Sequence, residues 1–277
     1  GDFARYYDTA VAGQSAYFVW LNAGKKSVVL DLSINQDKQS LLQLINKSDV
    51  LVQNLKPGSL AGLGVDLDLL HAQRPAFISV PISAVSLDGP GYKRIAPALS
   101  VLAESGLAQI TGSAQEPGRV GVSVVDIATG QFAYEAILQA LLQRSASSTG
   151  AKVDISMFDA VSHWLAVPYL LDRYGGTAPK RVGLAHPGIC PYGVFTSADG
   201  VSFILSIQNE REWQRLCEVG IENSELAADA RCSDNPTRVA NRVFVDATVQ
   251  YAFAQLDYCS ISQRLDLADV AFAPVNE

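Results

Sequence analysis

The sequence predicts an α/β fold, with a large domain built on a parallel β-sheet and a smaller α+β domain after it. Two observations support this prediction. Over the first third of the chain, short apolar runs typical of buried strands alternate with segments whose apolar residues recur at helical spacing. Parallel strands connected by helices that cover both faces of a sheet give this alternation. Beyond residue 180 the composition shifts toward glycine and proline and a hairpin pattern follows, which indicates a second domain.

The elements of the large domain follow in order along the chain. The predicted strands are residues 27–32, 49–53, 76–80 and 152–156. The predicted helices are residues 35–46, 66–72, 127–144 and 158–171. Helix 127–144 is the most regular, because its apolar side chains recur along one face and a polar, glycine-terminated segment follows it.

We expect three parts in the chain. Residues 1–180 form the large domain, which closes with a linker helix, and residues 181–250 form the small α+β domain. In the small domain, Asp199-Gly200 between two apolar runs predicts a hairpin. Residues 251–277 are expected to be a linker that returns toward the large domain. Ligands of parallel α/β sheets usually bind beyond the carboxyl ends of the strands, so we expect the site at that edge.

Charge and composition argue against several classes of function. The 277 residues include 28 acidic and 21 basic side chains, which give a net charge of −7. This charge disfavours sequence-independent binding to the phosphates of nucleic acids. The four cysteines lack the CxxC spacing of a zinc site, and no histidine is grouped with them, so no metal is expected. No secretory leader and no long apolar run is present, which favours a cytoplasmic protein with reduced thiols and no membrane span.

The usual nucleotide-binding and hydrolase motifs are absent. No GxGxxG follows a strand, no GxxxxGK[ST] occurs, and residues 121–125 lack the second glycine of a nucleophile elbow. These absences disfavour a Rossmann oxidoreductase, a P-loop enzyme and an α/β-hydrolase.

Asp126 stands out because it lies between an apolar run and the long helix. On periodicity alone, the favoured interpretation is a helix N-cap that accepts hydrogen bonds from free N–H groups. Gly130 complicates this interpretation, since glycine in a helix costs about 1 kcal/mol against alanine and often marks the close approach of a backbone or ligand. The helix dipole also keeps a carboxylate ionised, which suits an anionic nucleophile.

Several segments resemble the class III CoA-transferases, the CaiB/BaiF family. The longest is residues 119–144, which contains Asp126. The others are residues 1–5, 22–32, 52–58, 153–159 and 186–193, together with Asp199-Gly200. The resemblance runs in order from nearly one end of the chain to the other. The segments at residues 17–22 and 186–193 resemble those of members that act on short dicarboxylic acids such as mesaconate, itaconate, citramalate or succinate.

The resemblance implies a Rossmann-like large domain, a smaller α+β domain and an intertwined homodimer. It also implies that Asp126 attacks an acyl-CoA thioester to give a mixed anhydride and CoA thiolate, which then form an aspartyl-CoA thioester. A free carboxylic acid is acylated in turn through a second anhydride. Backbone N–H groups around Gly188 are implied to stabilise the oxyanions, although an interdomain turn is an equally open interpretation of that segment. Acyl-CoA is a substrate, and no permanent cofactor, metal, nucleic acid or membrane partner is implied.

The same resemblance assigns contacts with CoA. The implied contacts are Leu30, Asn54, Leu55, Leu63 and Arg94, with Lys56 and Lys93 as further cations for the phosphates.

The chain departs from the family pattern in four places. It begins at the Gly-Asp-x-x-Arg motif and stops before the closing part of the larger domain, so we expect a form truncated at both ends, whose activity and dimerisation stay open. Gly62 stands where arginine is frequent, and residues 84–86 replace a glycine-aromatic-glycine turn. Pro97-Ala98 stands where related racemases carry His-Asp. Since racemisation needs a base on each face of the carbon, CoA transfer is favoured over an α-methylacyl-CoA racemase or a non-catalytic CoA-binding protein.

Overall fold

A computed structural model of the chain describes residues 2–86 and 98–276. The strands are β1 (Val50–Gln53), β2 (Ile78–Ser83), β3 (Ile155–Ser156), β4 (Tyr192–Thr196), β5 (Ser202–Ser206) and β6 (Ala271–Pro274). The helices are α1 (Ala16–Asn22), α2 (Asn35–Lys47), α3 (Ser59–Gly62), α4 (Leu67–Gln73), α5 (Ala98–Glu104), α6 (Leu107–Ile110), α7 (Val124–Ser147), α8 (Met157–Trp164), α9 (Ala166–Gly175), α10 (Glu210–Arg215), α11 (Ser224–Ala228), α12 (Asn235–Ala240), α13 (Arg242–Phe253) and α14 (Tyr258–Ala268). Short 3₁₀ helices lie at Phe3–Tyr6 and Ala230–Cys232, and a π-helical turn at Leu216–Gly220.

The chain divides into two compact units. The first contains Gly1–Ala98 and Val125–Ala160, and the second contains Leu99–Val124 and Val161–Glu277. The predicted boundary at residue 180 therefore differs from the division that the structure shows, since segments of the predicted large domain pack with the second unit.

A three-stranded parallel sheet in the order β1-β2-β3 forms the centre of the first unit, as the alternating sequence pattern predicts. The side chains of β2 alternate between the two faces of the sheet. On one face Ile78 and Val80 pack against Ala133 and Ala140 of α7. A second buried cluster contains Ile45, Val65, Leu70 and Phe77, and Leu51 of β1 packs against it.

The direction of α7 relative to the strands follows from contacts at its last turns. Nη1 of Arg144 donates to the Asp49 carboxylate at 3.0 Å and to the Ala76 carbonyl at 3.3 Å. Asp49 directly precedes β1 and Ala76 lies two residues before β2, so this end of the helix lies at the amino edge of the sheet. From Arg144 back to Asp126 the helix rises about 27 Å at about 1.5 Å per residue. The first turn of α7 therefore lies at the carboxyl edge.

The predicted strand 27–32 is wrong, because these residues form no strand. Val29 is 94% exposed and Val28 is 61% exposed. A strand needs a neighbour for its backbone N–H and C=O groups, and none of the strands in the described ranges pairs with this segment. Residues 152–156 shorten to the two residues of β3, with Lys152 adding one isolated bridge to Ser79.

The predicted helix 158–171 is divided in two at Leu165. Pro168 explains the division, because it has no N–H to donate to the carbonyl of Trp164 four residues earlier. Its position in the first turn of α9 needs no such bond, so the second helix can begin there.

The second unit contains an antiparallel sheet in the order β4-β5-β6. The hairpin predicted at Asp199-Gly200 is confirmed, and Gly200 has the positive φ of +83° that glycine adopts without strain. The predicted linker 251–277 instead contributes α14 and β6. Ile261 and Leu265 of α14 are fully buried in the core of this unit, which explains why these residues fold with it.

A buried arginine, Arg238, connects several segments of the second unit. Its side chain is 1% exposed and pairs with both carboxylate oxygens of Glu210 at 2.7 and 2.9 Å. It also donates to the carbonyls of Cys190 and Cys232 and lies beside the ring of Trp213. Because each guanidinium nitrogen has an acceptor, the charge is tolerated in an apolar core.

None of the helices in the described part of the chain is long and apolar enough to cross a membrane.

We predict that Arg238→Met lowers the free energy of unfolding by about 3 kcal/mol, because it leaves buried carbonyls without donors and Glu210 without its partner. Urea unfolding measures this value. Arg211→Met is the matched control, since Arg211 is 74% exposed and its ion pair with Asp269 should contribute less than about 1 kcal/mol. Equal, small losses in both variants would contradict the structural role of Arg238.

Candidate functional site

Asp126 lies in the first turn of α7, and its residue is exposed. The helix begins at Val124, two residues earlier, so Asp126 is a helical residue and not the N-cap that periodicity suggests. The dipole of a helix favours negative charge at this end. The structure therefore provides an exposed carboxylate at the carboxyl edge of the parallel sheet.

The exposed face of α7 continues from Asp126 through Gly130. A Cβ added to Gly130 would meet nothing within 4 Å in the part of the chain that the structure describes, so packing within the unit does not require glycine here. Tyr134, Leu138 and Leu142 follow along the same face and are exposed despite their size. The described part of the chain therefore gives no packing reason for a residue that costs helix stability at this position.

A cleft of about 400 Å³ opens on the face of the sheet opposite α7. Ser79, Pro81 and Ser83 of β2 line it, which follows from the alternation that turns Ile78 and Val80 toward α7. Leu55 and the neighbouring Pro57-Gly58, beyond the carboxyl end of β1, also line the cleft. The cleft thus reaches the same edge of the sheet as the first turn of α7.

Four of the CoA contacts implied by resemblance fall close together on the segment between β1 and the end of α3. Asn54 is the first residue after β1, and Leu55 and Lys56 follow; all three are exposed. Leu63 caps the carboxyl end of α3 and is half-buried. This placement at the end of a parallel strand is where α/β sheets usually bind ligands.

The other implied CoA contacts are less well placed by the structure. Leu30 is half-buried in an irregular segment where a strand was expected. Lys93 and Arg94 lie outside the described residues.

Several polar side chains in the cleft have partners within the unit. The Asp66 carboxylate accepts from the N–H groups of Asp68 and Leu69 and so caps α4. The Asp68 carboxylate forms an ion pair with Lys152. With these groups satisfied and leucine, isoleucine and proline side chains around them, the cleft suits an apolar or uncharged portion of a ligand more than a phosphate.

Sequence reasoning missed this cleft. Lys152 and Asp68 are 84 residues apart, and neither stands in a motif. The hydroxyl of Ser79 contacts Nε2 of His71 at 2.8 Å, and partial burial lowers the pKa of His71, which favours its neutral form. The sequence contains one signal of the cleft, the alternation of serine with apolar residues along β2, which indicates that the two faces of this strand have different surroundings.

In the second unit, residues 186–191 form an irregular loop that contains Gly188. The Gly188 N–H donates to Nδ1 of His186 at 3.1 Å, and the His186 ring stacks on Tyr192. A Cβ added to Gly188 would make only ordinary contacts, the nearest at 3.8 Å with the His186 ring. As the structure stands, the Gly188 N–H is engaged within the loop.

The cysteine of this loop is not a suitable nucleophile. Burial, followed by the nearby Asp246 carboxylate, raises the pKa of Cys190 to about 12. Its Sγ donates to Oδ1 of Asp246 at 3.6 Å. Because the thiolate is the reactive form, Cys190 stays inert at neutral pH.

Across residues 2–86 and 98–276, no group of three or more His, Cys, Asp or Glu side chains is arranged to hold a metal ion.

Known proteins are similar to this chain in sequence and in fold. The family model for CoA-transferase family III matches residues 1–277. An acetyl-CoA:oxalate CoA-transferase of Acetobacter aceti is 34% identical over 257 residues, which cover 92% of this chain and 66% of the relative. A succinate–glutarate CoA-transferase of Agrobacterium fabrum is 34% identical over 238 residues, which cover 83% of this chain and 58% of the relative.

The fold is also found among solved structures. A CaiB/BaiF family protein of Brucella suis matches with a TM-score of 0.82 and 30% identity, over 100% of this chain and 74% of the other. The chain spans about three fifths of the length of the two relatives named above. Because the family model matches from end to end and the structural likeness agrees with it, the chain belongs to CoA-transferase family III, the CaiB/BaiF family.

Proposed function

We propose that the protein transfers CoA between short dicarboxylic acids through covalent intermediates on Asp126. The observation that carries this proposal is an exposed carboxylate in the first turn of α7, at the carboxyl edge of a parallel sheet. Family membership supplies the reaction class. The names of two relatives contain oxalate, succinate and glutarate, which supports dicarboxylic acids as the substrates.

The proposed reaction uses the carboxylate of Asp126 twice. An oxygen of Asp126 attacks the thioester carbonyl of the acyl-CoA and expels CoA thiolate, which leaves a mixed anhydride. The thiolate then attacks the Asp126 carbonyl and releases the donor acid, which leaves an aspartyl-CoA thioester. The acceptor carboxylate attacks this thioester to form a second anhydride and thiolate, and the thiolate takes the acceptor acyl group and restores Asp126. No oxidant, metal or added proton is consumed, and one difficult exchange becomes several easier steps.

We place CoA along the segment from β1 to α3 and over the adjoining cleft. Lys56 supplies a cation near the carboxyl end of β1, where the phosphates can reach solvent. The apolar lining of the cleft, which includes Leu55 and Leu60, suits an uncharged portion of CoA. Gly62 at the end of α3 is exposed, and a side chain there would meet nothing within 4 Å in the described ranges.

We also propose that two copies of the protein associate, as the family resemblance implies. The exposed apolar side chains Tyr134, Leu138 and Leu142 of α7 support this, because monomers rarely leave contiguous apolar surface open to water.

We predict that Asp126→Asn lowers the rate of CoA transfer by at least about 10³-fold, because the amide oxygen is a far weaker nucleophile than the carboxylate. Transfer is measured with an acyl-CoA donor and a labelled free acid such as succinate, and intact mass spectrometry follows the CoA adduct on the protein. Wild type should acquire the adduct and the variant should not.

The matched control for this variant is Asp159→Asn, since Asp159 is also an exposed acid in the first turn of a helix, α8. Both substitutions remove the same favourable charge at a helix end, so a purely structural effect would be similar in the two variants. Full transfer by Asp126→Asn would refute the covalent role. Exchange of the α-hydrogen for deuterium without acyl transfer would favour a racemase instead.

A second prediction concerns Gly130→Ala. Alanine should raise the free energy of unfolding by about 0.5 to 1 kcal/mol, because it favours the helix and its methyl group meets no described atom. The same methyl group should lower kcat/KM at least about tenfold if the substrate crosses the helix beside Asp126. Urea unfolding and steady-state kinetics measure the two effects, with Gln143→Ala on the exposed surface of α7 as the control. Unchanged activity in Gly130→Ala would place the substrate elsewhere.

A third prediction tests where the phosphates of CoA lie. Gly62→Arg should lower the KM for acyl-CoA by about threefold to tenfold, because it adds a cation beside the proposed phosphate path. The effect should shrink as salt is raised, and kcat should stay unchanged. Gly62→Gln adds a side chain without charge and is the control. An arginine variant that behaves like the glutamine variant would argue against CoA on this segment.

A further inference from the structure

Thr129 is a buried polar residue of α7, three residues after Asp126. It is 4% exposed, and the other residues on the buried side of these first turns, Val125 and Ala128, are apolar. Its Oγ1 donates to the carbonyl of Val125 at 2.7 Å. The hydroxyl is therefore used within the helix, and its hydrogen bond is shielded from water.

Helix stability does not account for threonine at this position. A threonine hydroxyl that donates to the carbonyl four residues earlier slightly destabilises a helix and often bends it. Threonine and the residue that follows it, Gly130, are both poorer helix formers than alanine. Valine has the same shape as threonine without the hydroxyl and would suit an apolar surrounding. The place of the hydrogen bond in the helix provides another explanation.

The hydrogen bond of Thr129 acts on the peptide unit that leads into Asp126. The carbonyl of Val125 and the Cα atom of Asp126 belong to one planar trans peptide unit. Two groups donate to this carbonyl: the backbone N–H of Thr129, through the ordinary helical bond, and the Thr129 hydroxyl. Because both donors hold the oxygen, the plane of the peptide unit is restrained, and so is the Cα atom of Asp126 at its other end.

The first turn of a helix needs such a restraint more than the interior does. The N–H groups of the first turn have no carbonyl partner within the helix, and helix ends fray. Gly130 adds backbone freedom directly after Thr129. A displacement of a reacting group by about 1 Å can lower a rate by about 10²-fold. A nucleophile in the first turn therefore depends on how firmly that turn is held.

We propose that Thr129 is a positioning residue for Asp126, and that its hydroxyl holds the first turn of α7 in the geometry for attack on the acyl-CoA thioester. This inference rests on the proposed CoA transfer. Thr129 acts through the backbone, since its hydroxyl is buried and donates to the Val125 carbonyl. Loss of the hydroxyl displaces the carboxylate of Asp126 without removing it, so the reaction slows while acyl-CoA still binds.

The variants Thr129→Val and Thr129→Ser separate the hydroxyl from the methyl group. Thr129→Val should lower kcat for CoA transfer about tenfold to hundredfold, with the KM for acyl-CoA within about threefold of wild type. Thr129→Ser keeps the hydroxyl and should keep kcat within about threefold. The midpoint of urea unfolding should show the opposite order. It should fall more in Thr129→Ser, which leaves a small cavity, than in Thr129→Val, where the Val125 carbonyl keeps its backbone donor.

Single-turnover mass spectrometry shows whether Asp126 is displaced or lost as a nucleophile. The CoA adduct should form about tenfold to hundredfold more slowly in Thr129→Val than in wild type, because the carboxylate starts from a poorer geometry. The final extent of the adduct should equal that of wild type, because the carboxylate is still present.

Thr248→Val is the matched control. The Thr248 hydroxyl makes the same kind of bond, to the carbonyl of Phe244 at 2.8 Å, within α13 of the second unit. Thr248→Val removes an equivalent hydroxyl from a helix that does not carry Asp126, so kcat should stay within about threefold of wild type.

The outcomes separate the two proposals. Wild-type transfer with a CoA adduct on Asp126, combined with unchanged kcat in Thr129→Val, would overturn this inference and leave the proposed function intact. Equal losses of kcat in the two variants at residue 129, or in Thr129→Val and Thr248→Val, would also overturn it, since the loss would not belong to this hydroxyl. A wild-type enzyme without any CoA transfer would overturn the proposed function and this inference together.

Discussion

The packing of α7 against the parallel sheet is the constraint on which the proposed site depends. Ala133 and Ala140 present small side chains to Ile78 and Val80, so the helix can lie close to the strands. Arg144 fixes its carboxyl end at the amino edge of the sheet through Asp49 and the Ala76 carbonyl. The length of α7 then carries its first turn to the opposite edge, where α/β sheets bind ligands. The position of Asp126 is thus a consequence of helix length, helix direction and small residues at the interface.

Much of this arrangement could be predicted from the sequence, because it rests on local patterns. The period of apolar residues predicts α2, β1 and α7, and Asp199-Gly200 predicts the hairpin of the second unit. The failures occur where structure depends on distant partners. Residues 27–32 have the composition of a strand but no neighbouring strand. Residues 258–274 were expected to lie in a linker, yet they form α14 and β6 and contribute to the core of the second unit.

The candidate site shows the same division between local and distant information. Asp126 stands out by its place before a long helix, but its pattern alone favours an N-cap, and its interpretation as a nucleophile comes from the family resemblance, as does that of Asn54 as a CoA contact. The ion pair of Lys152 with Asp68 and the contacts of Asn235 with the loop at Gly188 join residues 84 and 47 positions apart. No spacing rule predicts such contacts, since they follow from how helices and strands pack. Contacts between distant residues are therefore harder to predict from the sequence than a candidate residue that stands beside a regular helix.

The central claim is that an oxygen of Asp126 becomes part of the anhydride in each cycle. The most direct measurement is peptide mass spectrometry of the segment that contains Asp126, after turnover with an acceptor acid carrying oxygen-18 in both carboxylate oxygens. The anhydride route predicts that Asp126 acquires labelled oxygen, because the bridging oxygen from the acceptor stays on the aspartate when CoA thiolate takes the acyl group. Continued CoA transfer with Asp126 unlabelled would contradict the account, since it would show that the acids exchange CoA without bonding to this residue.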